Sequence, residues 1–313
     1  MRCWLSTTIM VICMSLGGGQ WVTAQSTPPD AKFVLQVDLN AFRQTELGKR
    51  LLEVTTKMAQ EEIGDNSQDV MAKVTEAIGF DPLEEVHSLT VIGSSYERPE
   101  KSLRAILQLG KTTGNLEGLL LALPGYDFQE MDGITVHAVN EGDQRAFITF
   151  DTAENGDKRV LAATSAQAIQ EMLKHAANGE TAVASPAADS FVNMRVLKFP
   201  DEVYHLEQSA NVAKLLKAVS ATIGEQDGNY VIKISLVASD EKRAEQIQQL
   251  VVGAKALISL LQDEIGDDEE AKLAISILQG ASVKTEGKEV TIIASIPEKM
   301  IINFLREEAD LPL

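Results

Sequence analysis

Cysteine and tryptophan are scarce in this 313-residue chain, with two of each, and all four lie near its N-terminus. The cysteines are Cys3 and Cys13, and the tryptophans are Trp4 and Trp21. After residue 21 no side chain could therefore form a disulfide, act as a thiolate nucleophile or bind a metal through sulfur. With no later tryptophan and only four tyrosines, that part of the chain is also a poor candidate for a carbohydrate-binding surface built on aromatic stacking.

Basic residues are too few to balance the acids, since the chain has 28 Lys and Arg, 46 Asp and Glu, and a formal net charge of −18. A surface this acidic repels the phosphates of nucleic acids and of anionic membranes. We therefore expect no nucleic-acid partner and no binding to an anionic membrane surface. The acidity is typical of a soluble protein.

Long apolar runs are missing except at the N-terminus. A positive charge at Arg2 precedes the apolar stretch Cys3–Leu16, the helix-breaking Gly17–Gly19 and the segment Val22-Thr23-Ala24, whose residues suit the −3 and −1 positions of a cleavage site. A membrane anchor needs about 20 predominantly apolar residues, and this run is shorter and diluted by Ser and Thr. The sequence therefore predicts a cleavable signal peptide over residues 1–24, export to the periplasm or the cell exterior, and no membrane span after cleavage.

Hydrophobic periodicity in the rest of the chain predicts both strands and helices. Residues Phe33–Leu39 alternate apolar and polar side chains like a half-buried strand. Leu47, Leu51, Val54 and Met58 have the spacing of one helix face. Further strands are predicted at Ser88–Gly93, Ser102–Leu109, Ile134–Val139, Arg145–Phe150 and Val160–Ala163, and further helices at Asp69–Ile78 and Leu116–Leu123.

A unit of glycine turn, strand, polar cap and helix occurs three times, with its turns at Gly156, Gly228 and Gly287. The strands are Val160–Ala163, Val231–Leu236 and Val290–Ala294, the caps include Ser165, Ser239-Asp240 and Ser295, and the second helix carries Ala244, Ile247, Leu250, Val251, Ala254, Leu257, Ile258 and Leu261 on one stripe. The pattern predicts an α+β fold in which antiparallel sheets have helices packed on one face.

The repeated unit also suggests two similar lobes, separated in the small, polar segment Asn178–Ser190. We expect an N-terminal α+β lobe over residues 25–184 and a C-terminal α+β lobe over residues 185–313. The alternative is that generic strand-turn-strand-helix patterning imitates a duplication.

The sequence contains no recognisable catalytic motif. The serine-nucleophile, nucleotide-binding and His-Glu-x-x-His motifs are all absent. No two of His87, His137, His175 and His205 have metal-ligand spacing. His87 and His137 lie in or beside predicted strands, where a structural, hydrogen-bonded histidine is expected, and His175 lies near a helix C-terminus. We predict no catalytic, cofactor-binding or metal-binding residue and no cofactor.

Two acidic segments come nearest to a cation site. In Asp151–Asp157, Gly156 falls at the sixth position of a calcium loop, but Ala162 occupies the twelfth, where an acid is required. The second segment, Asp263–Glu270, precedes a predicted helix, whose dipole alone favours acids there, and whether it binds cations is left open.

Asp38 and Arg43 adjoin the first predicted strand. A surface salt bridge or a helix cap is the expected role of these two residues.

Several short segments carry a resemblance to a known group. They are Pro29–Leu39, Thr45-Glu46-Leu47-Gly48-Lys49, Gly79-Phe80-Asp81-Pro82 and Ser88–Val91. Together they resemble uncharacterised exported proteins of planctomycete-type bacteria. The resemblance implies export and a repeated α+β fold, and it implies no catalytic residue.

The leading functional hypothesis is a non-enzymatic, exported binding or interaction module whose partner is an unknown protein or small molecule. The alternatives are a hydrolase of unrecognised type with its site between the lobes, and a structural or self-assembly component of the cell envelope. Buried ionisable groups gathered in a cleft would favour the enzyme. An exposed apolar patch on a helix face or a sheet edge would favour binding or assembly.

Overall fold

The structure is a computed structural model of the chain. It describes residues 28, 30–63, 75, 79–98, 101–111, 113, 116–121, 123, 125–141, 144–153, 156–177, 190–199, 213–261 and 269–308. The predicted signal peptide, the helix predicted at Asp69–Ile78 except Thr75, and His205 lie outside the described residues. So does most of the segment Asn178–Ser190.

The described elements form an α+β protein, as predicted. The strands are β1 (Phe33–Asp38), β2 (Val86–Gly93), β3 (Leu103–Leu109), β4 (Tyr126–Met131), β5 (Ile134–Glu141), β6 (Gln144–Thr152), β7 (Lys158–Ala163), β8 (Val192–Val196), β9 (Leu216–Gln226), β10 (Asn229–Ala238), β11 (Ser282–Glu286) and β12 (Glu289–Pro297). The helices are α1 (Leu39–Gln44), α2 (Glu46–Ile63), α3 (Pro82–Glu85), α4 (Leu116–Leu120), α5 (Ala166–Ala177), α6 (Glu241–Leu261), α7 (Glu269–Gly280) and α8 (Glu298–Glu308). Among the helices described, none is long and apolar enough to cross a membrane.

The described residues group into two compact units, the first within residues 22–185 together with 305–308 and the second within residues 186–304. Strands of the first unit lie in the order β1-β2-β3-β7-β6-β5-β4, and those of the second in the order β11-β12-β10-β9-β8. Each strand pair with a defined register is antiparallel. The prediction of antiparallel sheet is therefore confirmed.

Both units follow one strand plan. Each begins with a three-stranded meander, β1–β3 in the first unit and β8–β10 in the second. The chain then forms helix, and its last strand returns to pair with the third strand of the meander, β7 with β3 and β12 with β10. The strand just before this last strand in the chain, β6 or β11, pairs with its other side. Within the part of the chain described, the first unit differs by one extra hairpin, β4–β5, at its outer end.

Helix α5 covers the core of the first unit. Ile169 and Met172 on this helix are buried against Leu161 and Ala163 of β7 and Val136 of β5. Burying one such side chain contributes about 1.5–3 kcal/mol relative to leaving it exposed.

A nearly buried arginine on β3 connects this helix to the start of the chain's first strand. The Arg104 guanidinium binds both carboxylate oxygens of Asp30, at 3.0 and 2.9 Å, and Glu171 of α5 at 3.1 Å. Its side chain is only 10% exposed. Because the contact with Asp30 is bidentate, it restrains direction as well as distance.

The core of the second unit lies on one face of its sheet. Alternate residues of β10 and β12 are buried there together with Ala244 and Ile247 near the start of α6. Asp240 caps this helix by accepting a hydrogen bond from the backbone N–H of Arg243 at 2.9 Å. That hydrogen bond lowers the pKa of Asp240 below its ordinary value.

Several predicted boundaries need correction. Strand β1 ends at Asp38, because its side chain caps α1 by accepting from Ala41 N at 2.8 Å. The helix predicted at Leu116–Leu123 ends at Leu120. Ser295 does not cap a helix, since β12 continues through it to Pro297. The predicted stripe on α6 is buried only in part, because Leu257 is 62% exposed.

The ring of Phe33 fills the space that a side chain at residue 93 would otherwise occupy, between strands β1 and β2. Phe33 on β1 lies directly opposite Gly93 on β2. A Cβ added to Gly93 would lie 2.1 Å from Cζ of that ring. The ring also stacks on Tyr96, with centroids 5.5 Å apart, and the Tyr96 hydroxyl donates to the carbonyl of Lys32 at 3.3 Å. Only glycine leaves room for this arrangement.

We predict that Gly93→Ala lowers the free energy of unfolding by about 1–3 kcal/mol, because the new methyl group overlaps the Phe33 ring. Urea denaturation would measure the change. Gly253→Ala on α6 is the matched control, since nothing lies within 4 Å of its added Cβ, and it should stabilise the helix by up to about 1 kcal/mol. Equal effects of the two substitutions would contradict the proposed contact.

Burial raises the pKa of Tyr96 from its ordinary value of 10.0 to about 12. Because the folded state then holds the phenolic proton more tightly than the unfolded state, Tyr96 contributes stability below pH 10.0 that is lost as the pH rises toward about 12. The titration of Tyr96 would be measured as the difference in tyrosinate absorbance between the wild type and Tyr96→Phe over a pH series. An unshifted midpoint near pH 10.0 would contradict this prediction.

Candidate interaction surface

The extra hairpin of the first unit ends in an edge strand. Strand β4 pairs with β5 in a regular antiparallel register, from Tyr126 opposite Val139 to Met131 opposite Ile134. A two-residue turn joins the strands, with positive φ at both of its residues, 52° at Asp132 and 80° at Gly133. Such turns match the natural twist of paired strands. Among the described strands, none pairs with the outer side of β4.

The outer side of β4 presents backbone groups that face away from β5. The two-residue turn makes Met131 and Ile134 a hydrogen-bonded pair, and bonded and non-bonded pairs then alternate along the ladder. Phe128 and Glu130 therefore belong to non-bonded pairs and direct their N–H and C=O groups outward. The outward N–H of Phe128 donates to the carboxylate of the adjacent Asp127 at 2.8 Å.

Large apolar side chains are exposed on and just before this strand. Phe128 is 54% exposed, Leu121 61% and Leu123 43%. A backbone hydrogen bond from Tyr126 N to Leu123 O, at 3.3 Å, holds this leucine at the entrance to β4. We call β4 together with Leu121 and Leu123 the β4 surface. Because these exposed apolar side chains are close together in the chain, this segment is a candidate interaction site.

A buried histidine supports the β4 surface from within. His137 on β5 is opposite Phe128 and only 2% exposed. Its Nδ1 lies 3.0 Å from the Tyr126 hydroxyl, and its Nε2 lies 3.5 Å from a carboxylate oxygen of Glu117 on α4. The edge of its ring meets Phe150 with centroids 5.5 Å apart. These contacts connect β4, α4 and β6 through one imidazole.

The order hydroxyl, imidazole, carboxylate is also that of a nucleophile with its base and orienting acid. Acyl transfer further needs donors for the developing oxyanion and space for a carbonyl beside the hydroxyl. Among the described residues, the side-chain hydrogen bond and ring contacts of Tyr126 are those with His137 and with Phe128, whose ring centroid lies 6.4 Å away. Because His137 is only 2% exposed and joins three elements, we interpret it as a structural residue.

Negative charge dominates the region around β4. Its carboxylates are Glu117 on α4, Asp127 and Glu130 on β4, and Asp132 in the turn. Arg145 on β6 binds Asp127 at 2.9 Å, and both side chains are well exposed. Glu130 accepts from the Thr135 hydroxyl at 2.8 Å, which leaves its charge in place. The β4 surface is therefore apolar and acidic at once.

The corresponding edge of the second unit is different. Strand β11 presents Ser282, Lys284 and Glu286 at its exposed positions. Charged residues of both signs on an edge are a common protection against further pairing. Large apolar side chains are also exposed on α6, at Leu250, Val252 and Leu257, but they lie along a helix, whose backbone hydrogen bonds are satisfied internally.

The acidic loop considered as a calcium site has another explanation. Asp151 forms an ion pair with Arg159 on the neighbouring strand, and Asp157 accepts from the Gln108 side chain at 3.2 Å. Within the residues described, no three His, Cys, Asp or Glu side chains come together in a metal-binding group. Residues 263–268 of the segment Asp263–Glu270 lie outside the described residues.

The remaining sequence candidates lie apart from the β4 surface in the chain. Asp38 is a helix cap, one of the two roles expected for it. Arg43 donates to the backbone carbonyls of Glu84 and Val86, and burial lowers its pKa below the ordinary value. His87 is half-buried on β2, and the side chain of His175 lies outside the described residues.

Strand β4 itself was not predicted from the sequence. Its residues, YDFQEM, carry two acids and one glutamine, so their alternation of apolar and polar positions is broken at Glu130. The available signal was the pair Asp132-Gly133 before the predicted strand at Ile134, since this dipeptide is a strong hairpin turn.

Comparison with protein-family models found no match, and neither did comparison with curated proteins. Among solved structures, the chain is similar to TP0453, a spirochete protein. Crystal form III of TP0453 has 11% identity and a TM-score of 0.44, over 93% of this chain and 99% of that one. Crystal form IV has 11% identity and a TM-score of 0.44, over 90% and 94%. Crystal form I has 12% identity and a TM-score of 0.38, over 91% and 99%. These TM-scores are too low to carry an argument about function.

If His137 is structural, His137→Ala should lower the free energy of unfolding by about 2–4 kcal/mol, through lost packing and lost hydrogen bonding. Tyr126→Phe removes only the hydroxyl and keeps the aromatic stack, so it should cost about 1 kcal/mol. Thermal and urea denaturation of both variants would measure these changes. A His137→Ala protein as stable as the wild type would contradict the structural role.

Proposed function

We propose that this protein is an exported, non-enzymatic binding module whose partner docks on the β4 surface. The observation that carries the proposal is Phe128, which is 54% exposed beside the open edge of β4. An exposed aromatic side chain next to unpaired strand backbone is a liability unless a partner uses it.

The strand plan supports this location. The two units share their meander and returning strands, and the hairpin β4–β5 is the addition that distinguishes the first. Its tip is well anchored, because Asp132 in the turn accepts from Gln170 of α5 at 3.0 Å. A binding surface on an anchored hairpin loses little conformational entropy when a partner docks.

Export is the other part of the proposal, and the sequence of residues 1–24 supports it. A positive n-region, an apolar h-region and small residues before the cleavage site are the three features of a secretory signal. The resemblance to exported proteins of planctomycete-type bacteria agrees with it. The hydrolase alternative, with a site between the lobes, stays a prediction.

Phe128→Asp should abolish capture of the native partner, because it places a charge at the centre of the β4 surface. The test is a pull-down from native envelope fractions with the immobilised protein, its captured proteins being quantified against the wild type. Leu257→Asp on α6 is the matched control, since this leucine is also well exposed (62%) and should leave the capture unchanged.

Both variants should remain folded at the temperature of the assay. Phe128→Asp should lose about 0.5–1.5 kcal/mol of stability with its ring stack on Tyr126, and Leu257→Asp should change stability by within about 0.5 kcal/mol. A partner captured equally by Phe128→Asp and the wild type would refute the β4 surface as the binding site. If only Leu257→Asp lost capture of the partner, the binding site would be assigned to α6 instead.

A further inference from the structure

Resting on the proposed function, we infer that the partner binds as an extended peptide segment carrying basic residues, which adds to the outer edge of β4 as a further antiparallel strand. The juxtaposition that carries this inference is a row of outward backbone groups, an exposed aromatic ring and two carboxylates, all within six residues. A helix or a folded apolar surface would contact the Phe128 ring and leave the outward backbone groups of β4 without partners.

The backbone of β4 provides the first part of the recognition. The C=O of Phe128 and the N–H and C=O of Glu130 face outward and match the groups of an added strand. The N–H of Phe128 is already bound by Asp127. An incoming strand therefore pairs most strongly around Glu130 and the Phe128 carbonyl.

Side chains on one face of β4 select an apolar residue in the partner. Tyr126 and Phe128 lie on the same face with their rings stacked, and His137 holds Tyr126 in place from β5. A partner side chain opposite Phe128 would lie within contact distance of its exposed ring, because directly opposite residues of an antiparallel pair have Cβ atoms about 4.5–5.5 Å apart.

Charge selects basic residues at two other positions of the partner. Strand β4 carries Asp127 and Glu130 and no base. Opposite charges facing each other across strands stabilise the pair, and like charges destabilise it. Arg145 already neutralises much of Asp127, so Glu130 contributes more to this selection.

The same charges argue against a second copy of this chain as the occupant. Two β4 strands paired edge to edge would bring four carboxylates, Asp127 and Glu130 from each copy, into one short seam. Acids on an edge strand are a recognised means of preventing such self-association. A basic partner relieves the repulsion that a second copy would create.

The test uses the synthetic peptide acetyl-Thr-Lys-Thr-Val-Lys-Phe-Thr-amide, which places lysines opposite Glu130 and Asp127 and valine opposite Phe128. Fluorescence polarisation of the labelled peptide would measure its affinity for the protein without the predicted signal peptide, residues 25–313. Replacing both peptide lysines by glutamate should weaken binding by at least about tenfold, since attraction becomes repulsion at two cross-strand pairs.

A matched pair of modified peptides isolates strand pairing without changing the protein. N-methylation of the peptide valine removes the N–H that would donate to the Phe128 carbonyl and should weaken binding by about tenfold. N-methylation of the third peptide residue, the threonine before the valine, should have a much smaller effect, because its N–H faces away from β4.

Protein variants provide the reciprocal test. Glu130→Pro removes the outward N–H, at an edge position where proline is tolerated, and should bind the peptide at least about tenfold more weakly than Glu130→Ala, which loses the same carboxylate. Circular dichroism would check that both variants are folded.

The outcomes separate this inference from the proposed function. No binding of the lysine peptide, or equal binding of the two N-methylated peptides, would overturn strand addition. If Phe128→Asp still abolished capture of the native partner, the β4 surface would stand as the binding site. Dimerisation of the protein that Glu130→Pro abolishes would identify a second copy as the occupant and overturn the inference.

Discussion

The antiparallel pairing of β7 with β3 determines where strands β4 to β6 of the first unit lie. Its register runs from Arg104 opposite Ala163 to Leu109 opposite Lys158, and it joins segments about fifty residues apart, so it costs loop-closure entropy. Burial of Ile169 and Met172 of α5 against the strands and the ion pairs of Arg104 offset that cost. Because β7 occupies the position beside β3, the strands before it are displaced outward in turn, and β4 becomes the edge.

A strand edge that binds a partner must also be protected from copies of itself. In the proposed binding mode the aromatic side chains of β4 provide the contact, and the carboxylates of Asp127 and Glu130 provide the protection. The side chain of Asp127 also occupies the outward N–H of Phe128, which shortens the open part of the edge. In the proposed binding mode this surface selects a partner that brings complementary charge as well as a strand.

Much of the fold could be predicted because its strands alternate cleanly and its turns use glycine. Strand β1 and helix α2 follow from periodicity alone, and the turns at Gly156, Gly228 and Gly287 have the positive φ that glycine adopts without strain. The candidate site could not be predicted, because β4 is exposed on its outer side and so lacks the apolar alternation that marks a buried strand. The helical spacing of Leu257 likewise predicted a continuous stripe and did not reveal that the stripe is exposed.

The sequence by itself determined the local elements, the α+β class and the absence of cysteine chemistry after Cys13, since each follows from residue type and near-neighbour spacing. Only the tertiary structure decided that Tyr126, His137 and Glu117 meet, and that Phe128 lies on an open edge. Those facts depend on which strands pair, a choice made by long-range burial and hydrogen bonding between distant segments. The position of β4 at the edge, and with it the proposed binding surface, is a property of the assembled sheet.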